Sequence, residues 1–142
     1  MHWADVEAKK LLTTGDRHLI STGISPSGFI HVGSLREAIT AEAIRKALEE
    51  QNAEVKMIYL VDSFDPLRKR YAFLSEDYEK EIGKPLSIVP SPCKVHNHYA
   101  QHFIQPFLDS LEELGVNCEV HWTHELYDHG VFTEAIDTVI RN

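Results

Sequence analysis

The side chains best suited to chemistry lie in one short stretch, residues 23–34. A histidine and a serine three positions apart at the start of a helix can face the same ligand. A helix N-terminus also offers free backbone N–H groups and a partial positive charge, which favour phosphate. A glycine there has no Cβ, so a base or a ribose could lie against the backbone. The pattern predicts a nucleotide site formed by His31, Gly33 and Ser34. For His31 alone, an ordinary surface histidine remains the alternative.

The elements around this stretch predict an α/β fold. Residues 18–24 resemble a short strand, residues 32–51 an amphipathic helix and residues 55–61 a buried strand. Such a strand–helix–strand unit belongs to a parallel sheet, whose ligands bind at the carboxyl ends of the strands. No GxxxxGK[ST] or GxGxxG motif is present, so neither a P-loop nor a dinucleotide fold is supported.

The second half of the chain is less regular. Four prolines fall between residues 63 and 97, which predicts a Pro-rich irregular insert. A helix is expected over residues 99–114, kinked or broken at Pro106, and a strand over residues 116–122. A last helix is expected over Thr133–Arg141, with its apolar side facing inward: Phe132, Ile136, Val139 and Ile140. Residues 1–142 are interpreted as a single domain.

Composition limits the partners that this chain can have. It carries 14 Lys and Arg residues against 22 Asp and Glu residues, a net charge of −8. Nucleic-acid affinity comes largely from basic side chains, so composition alone argues against a nucleic-acid partner. If the protein serves RNA, its main RNA-binding surface is expected to lie elsewhere. No apolar run approaches the ~18–20 residues that span a bilayer, and residues 1–5 lack the charged and apolar regions expected of a secretory signal. A cytoplasmic protein with no membrane partner is expected.

A cysteine and three histidines between residues 93 and 102 are potential metal ligands. Cys93 lies close to His96, while His98 and His102 are four positions apart, and zinc binds such ligands. No paired CxxC motif accompanies them, so a histidine-rich loop without zinc is the prediction.

His31–Ser34 resembles the HIGH signature of class I aminoacyl-tRNA synthetases, with Ser25–Gly28 before it as in several of them. Further runs are similar to the class I lysyl-tRNA synthetases: residues 2–5, 59–69, 83–87, 89–92, 99–103, 125–127 and 130–132. The likeness extends over essentially the whole chain, in order. It implies the first half of a Rossmann-like catalytic domain that uses ATP with Mg²⁺.

The resemblance also implies roles for individual residues. His31 and Ser34 would contact the ATP phosphates and stabilise charge in the transition state, although Ser34 stands where a His or Asn is usual. Ser27 and Gly28 would shape the nucleotide loop. The lysine substrate would be bound by Gly23, Ser25, Asp62 and Tyr99, with the Asp62 carboxylate as counter-charge for an ammonium group.

The KMSKS-type loop that class I activation needs has no counterpart here. The chain alone is therefore expected to be incomplete, with tRNA(Lys) a partner only of the complete enzyme. Self-association through apolar surface left exposed is expected. Two alternatives stay open: a non-enzymatic module that binds an adenylate or a partner protein, and another nucleotidyl transferase with the same signature.

Overall fold

A computed structural model describes residues 2–142. The helices are α1 (Trp3–Leu11), α2 (Val32–Glu49), α3 (Tyr99–Glu113), α4 (Thr123–Asp128) and α5 (Thr133–Arg141). The strands are β1 (Arg17–Ile24), β2 (Glu54–Val61) and β3 (Glu119–Trp122), and 3-10 turns occupy Leu12–Thr14 and Glu76–Glu81. The strands form a parallel sheet in the order β1-β2-β3, which confirms the predicted α/β, Rossmann-like class.

The described residues fall into two compact units. The first comprises residues up to Ile24, then Ile30–Leu60 and Pro106–Val120. The second comprises Ser25–Phe29, Val61–Gln105 and His121–Asn142. The prediction of a single domain with an insert stays a prediction.

The first unit packs α1 and α2 around small and aliphatic side chains. Ala4 and Ala8 of α1 are buried with Ala47 and Leu48 of α2. A buried ion pair lies on α2 as well, where the Arg45 guanidinium donates to both carboxylate oxygens of Glu42 at 2.6 and 2.9 Å. Burial opposes the ionisation of Glu42, but its hydrogen bonds with Arg45 hold the pKa below the ordinary value. Arg45 also pairs with Glu49, so this charged group is well satisfied.

The second unit has its own apolar core. It is made of Leu67, Leu74, Leu86, Val89, Tyr99, Ala100 and Phe103. Residues 62–98, all described, contain one regular element, the 3-10 turn Glu76–Glu81. Backbone hydrogen bonds replace regular structure there: the N–H of Leu67 donates to the Lys84 carbonyl at 2.9 Å, and the N–H of Leu86 donates to the Asp65 carbonyl at 2.9 Å.

Helix α3 continues through Pro106 without a break, since a proline removes only one backbone donor and the strong apolar face of the helix is retained. The alternative of a kink at Pro106 stays a prediction. The inward face predicted for α5 is wrong: the helix has no buried residue, and Val139 and Ile140 are each 77% exposed. Helices α1 and α4 were not predicted. Among residues 2–142, no helix combines the length and apolar character that crossing a membrane requires.

Candidate functional site

The N-terminus of α2 lies in the first unit and is capped by His31. This residue has extended backbone angles, and its Nδ1 accepts a hydrogen bond from the Gly33 N–H at 3.0 Å. Because Nδ1 accepts, the ring proton must be on Nε2, which leaves that N–H able to donate to a ligand. His31 and Gly33 are exposed and Ser34 is half-buried. Three of the predicted ATP-binding residues, His31, Gly33 and Ser34, thus lie together at an open helix start.

Two of the four glycines of this unit, Gly23 and Gly33, lie against different kinds of neighbour. A Cβ on Gly33 would lie 2.7 Å from the His31 ring, a side chain that can move. A Cβ on Gly23 would lie 2.3 Å from the Leu60 carbonyl oxygen, which is backbone of the neighbouring strand. Gly23 therefore permits the close approach of β1 to β2 and leaves no space for any side chain.

The second unit contains a polar group of four side chains, the acidic cluster: Ser25, Asp62, Asp65 and Thr123. The Ser25 hydroxyl lies 2.6 Å from Asp65 Oδ2 and 3.3 Å from Asp62 Oδ2. It has a single proton, so the shorter contact, to Asp65, is the stronger hydrogen bond. Thr123 Oγ1 donates to Asp62 Oδ1 at 3.0 Å. Two carboxylates thus share one serine hydroxyl.

The charge of the acidic cluster is only partly balanced. Arg68 Nη2 pairs with Asp65 Oδ2 at 3.1 Å, and its side chain is largely exposed. Among residues 2–142, no basic side chain forms an ion pair with Asp62. Two carboxylates and one guanidinium leave one negative charge, which suits a ligand with one positive charge.

Three predicted residues lie around the loop that follows β1. Tyr99 is fully buried in the apolar core, and its hydroxyl donates to the Ser27 carbonyl at 2.8 Å. Burial raises the pKa of Tyr99 above its ordinary value, so the phenol keeps its proton. Gly28 faces the Phe73 ring, which would lie 3.3 Å from an added Cβ. Tyr99 therefore stabilises the loop after β1 through its hydrogen bond to the Ser27 carbonyl.

A cysteine and two histidines of the second unit form a compact group. Cys93, His96 and His102 place potential ligand atoms within 4.8 Å of one another, a set that could hold a metal ion. Cys93 Sγ lies 3.1 Å from His96 Nδ1, and His102 Nδ1 is buried with no partner among the described residues. A hydrogen bond from Ser91, helped by backbone groups of His96 and Val95, lowers the pKa of Cys93 to about 5. The prediction that the chain holds no zinc stays a prediction.

Sequence reasoning missed two members of the acidic cluster. Asp65 lies three positions after Asp62, and that spacing was a usable signal for a paired site. Thr123 is 61 positions from its partner Asp62, and nothing local indicates the contact.

Comparison with known proteins gives the class. Over residues 1–142 the chain matches the family described as tRNA synthetases class I (K). It is 49% identical over 140 residues to lysine–tRNA ligase 1 of Methanosarcina acetivorans, covering 99% of this chain and 26% of the relative. It is 52% identical over 132 residues to the lysine–tRNA ligase of Archaeoglobus fulgidus, covering 93% of this chain and 27% of the relative. For the lysine–tRNA ligase of Methanococcus maripaludis, identity is 44% over 144 residues, with coverages of 100% and 27%.

The chain therefore belongs to the class I tRNA synthetases of the (K) family, and the resemblance stated from the sequence is confirmed. It spans about a quarter of the length of these relatives, 26–27%.

Proposed function

We propose that this chain is the ATP- and lysine-binding part of a class I lysyl-tRNA synthetase. The complete enzyme joins lysine to ATP as lysyl-adenylate and then transfers lysine to tRNA(Lys). The observation that carries the proposal is the acidic cluster, in which the half-buried Asp62 is held by a threonine hydroxyl and has no cationic partner among residues 2–142.

On the lysine side, the Asp62 carboxylate is the counter-charge for the substrate ammonium. A charge-assisted hydrogen bond of this kind is about twice as strong as a neutral one. Ser25 lies beside both carboxylates, and its preference for Asp65 leaves Asp62 Oδ2 able to accept from the ligand. Gly23 completes the lysine-binding set proposed from the family, together with Tyr99 as the support of the Ser27 loop.

On the ATP side, the start of α2 binds phosphate. The His31 Nε2–H and the Ser34 hydroxyl are the side-chain donors, and the helix dipole favours the negative charge. Ser27, Gly28 and Gly33 shape the nucleotide-binding backbone. Mg²⁺ enters with the ATP phosphates and neutralises part of their charge.

The partner tRNA(Lys) is proposed to bind only the complete enzyme. With a net charge of −8, this chain offers few groups that neutralise phosphates. We propose that the surface that binds tRNA lies mainly in the remaining length of the protein.

Calorimetric titration with two non-hydrolysable aminoacyl-adenylate analogues tests the proposal. One carries the lysyl side chain, and the other carries norleucyl, which lacks the ammonium group. The chain is expected to bind the lysyl analogue at least tenfold more tightly. In Asp62→Asn the preference should fall by roughly 10- to 100-fold, because hydrogen bonds to charged groups contribute about 1.5–3 kcal/mol.

Asp77→Asn is the matched control, since this exposed carboxylate of the same unit lies outside the acidic cluster. It should leave both affinities unchanged. Equal affinity of the unchanged chain for the two analogues would contradict lysine binding at Asp62. It would favour the alternative of a module that recognises only the adenylate.

A further inference from the structure

We infer that Thr123 is a positioning residue for Asp62, and that it thereby sets the selectivity for a cationic amino-acid side chain. The inference rests on the proposed function, and it deepens it by adding a residue from the start of α4, which neither the sequence motifs nor the family comparison assigns. Thr123 is 8% exposed, so its hydroxyl acts within the fold.

The direction of the Thr123 hydrogen bond follows from its neighbours. Thr123 Oγ1 accepts from the Phe64 N–H at 3.1 Å and lies 3.0 Å from Asp62 Oδ1. A hydroxyl has one proton, and the carboxylate can only accept, so Thr123 donates to Asp62. One side chain therefore fixes both the Asp62 carboxylate and the backbone of the loop after β2.

A second contact between the same two segments supports this arrangement. Ser63 is fully buried, and its hydroxyl lies 2.6 Å from His124 Nδ1. The backbone N–H of His124 also donates to Ser63 Oγ at 3.3 Å. Two consecutive residues of α4 thus hold residues 62–64 by hydroxyl bridges, and the Asp62 rotamer is set before a ligand arrives.

The fixed orientation of the Asp62 carboxylate favours ligands that carry a positive charge. With Oδ1 engaged by Thr123, the carboxylate is fixed in orientation and presents Oδ2 beside Ser25. A ligand ammonium then meets an acceptor already in place, which reduces the conformational entropy lost on binding. A ligand with an uncharged side-chain end gains nothing from that orientation.

Titration of Thr123→Val with the lysyl and norleucyl analogues tests the inference. Valine keeps the shape and removes the hydroxyl, so affinity for the lysyl analogue should fall about tenfold, while norleucyl affinity stays within about twofold. Thr123→Ser keeps the hydroxyl and should restore the preference. In the Asp62→Asn background, Thr123→Val should cause no further loss of preference.

Thr123→Val also leaves the Phe64 N–H without its acceptor, so folding is checked by circular dichroism. If valine prevents folding, Thr123→Cys gives a weaker donor of similar volume and should show a smaller loss in the same direction. An equal loss for both analogues would overturn the inference and assign Thr123 a structural role. A preference lost in Asp62→Asn but kept in Thr123→Val would overturn it while leaving the proposed function intact. An unchanged preference in Asp62→Asn would remove the proposed function itself.

Discussion

The start of α2 in the first unit and the acidic cluster in the second unit, the two regions proposed to bind substrate groups, are built in opposite ways. The start of α2 uses groups two positions apart, with the His31 ring capping the N–H of Gly33. The acidic cluster joins residues separated by 37 to 61 positions, through Ser25, Asp62 and Thr123. A local cap forms wherever the helix forms, whereas the cluster exists only when the loops after β1 and β2 and the start of α4 are all in place.

This difference has a consequence for mutation. Changes at the helix start should alter phosphate binding with little effect on folding. Changes that disturb the packing of distant segments should affect stability first.

The largest expected effect comes from a pair of matched glycine substitutions. Gly23→Ala should lower the free energy of unfolding by about 3 kcal/mol, because the new methyl group meets the Leu60 carbonyl oxygen and backbone cannot move aside. Gly33→Ala should change it by less than about 1 kcal/mol, since the His31 ring can rotate away and alanine favours a helix. Urea unfolding measures both. Equal losses would contradict the distinction.

The substitution His31→Ala should weaken ATP binding and leave lysine binding unchanged. It removes a helix cap, which typically contributes about 1 kcal/mol, and it removes the proposed Nε2–H donor. Affinity for a non-hydrolysable ATP analogue should fall about tenfold, while lysine affinity should stay the same. Calorimetry with each ligand separately gives the answer. A parallel loss of both affinities would show that the helix start is not a separate phosphate site.

Contacts between residues that are close in the sequence could be predicted, whereas contacts between distant segments could not. The strand–helix–strand unit and the start of a helix at Val32 follow from periodicity and adjacent residue types, so they were predictable. Asp62 could be proposed because it follows a strand. Thr123 could not, because its contact depends on where the chain returns after α3. The α5 prediction was wrong because an apolar stripe indicates amphipathicity without saying what covers it.

Cys93 and Cys118 should react with an alkylating reagent over different pH ranges, because their surroundings shift the two thiol pKa values in opposite directions. Hydrogen bonds from Ser91 and neighbouring groups lower the pKa of Cys93 to about 5, whereas burial raises the pKa of Cys118. Alkylation of Cys93 should rise with pH through about 5 and then level off. Alkylation of Cys118 should still be rising above pH 9. Mass spectrometry of chelator-treated protein, with Cys118→Ser and Cys93→Ser as controls, measures each rate, and coincident profiles would contradict the assignment.

The smallest expected effect is weak self-association through α5. Val139 and Ile140 are exposed on one side of this helix, and such apolar surface favours contact with a second copy. Light scattering should show an apparent mass that rises with concentration. The double substitution Val139→Glu with Ile140→Glu should remove the rise. A monomer at all concentrations would contradict the prediction.

The central claim is that the acidic cluster receives the lysine side chain, and a crystal structure of this chain with bound lysyl-adenylate analogue tests it most directly. The account predicts the ligand Nζ within about 2.7–3.2 Å of Asp62 Oδ2, with the Thr123 hydroxyl still on Oδ1. A ligand bound with its ammonium directed away from Asp62 and Asp65 would contradict it.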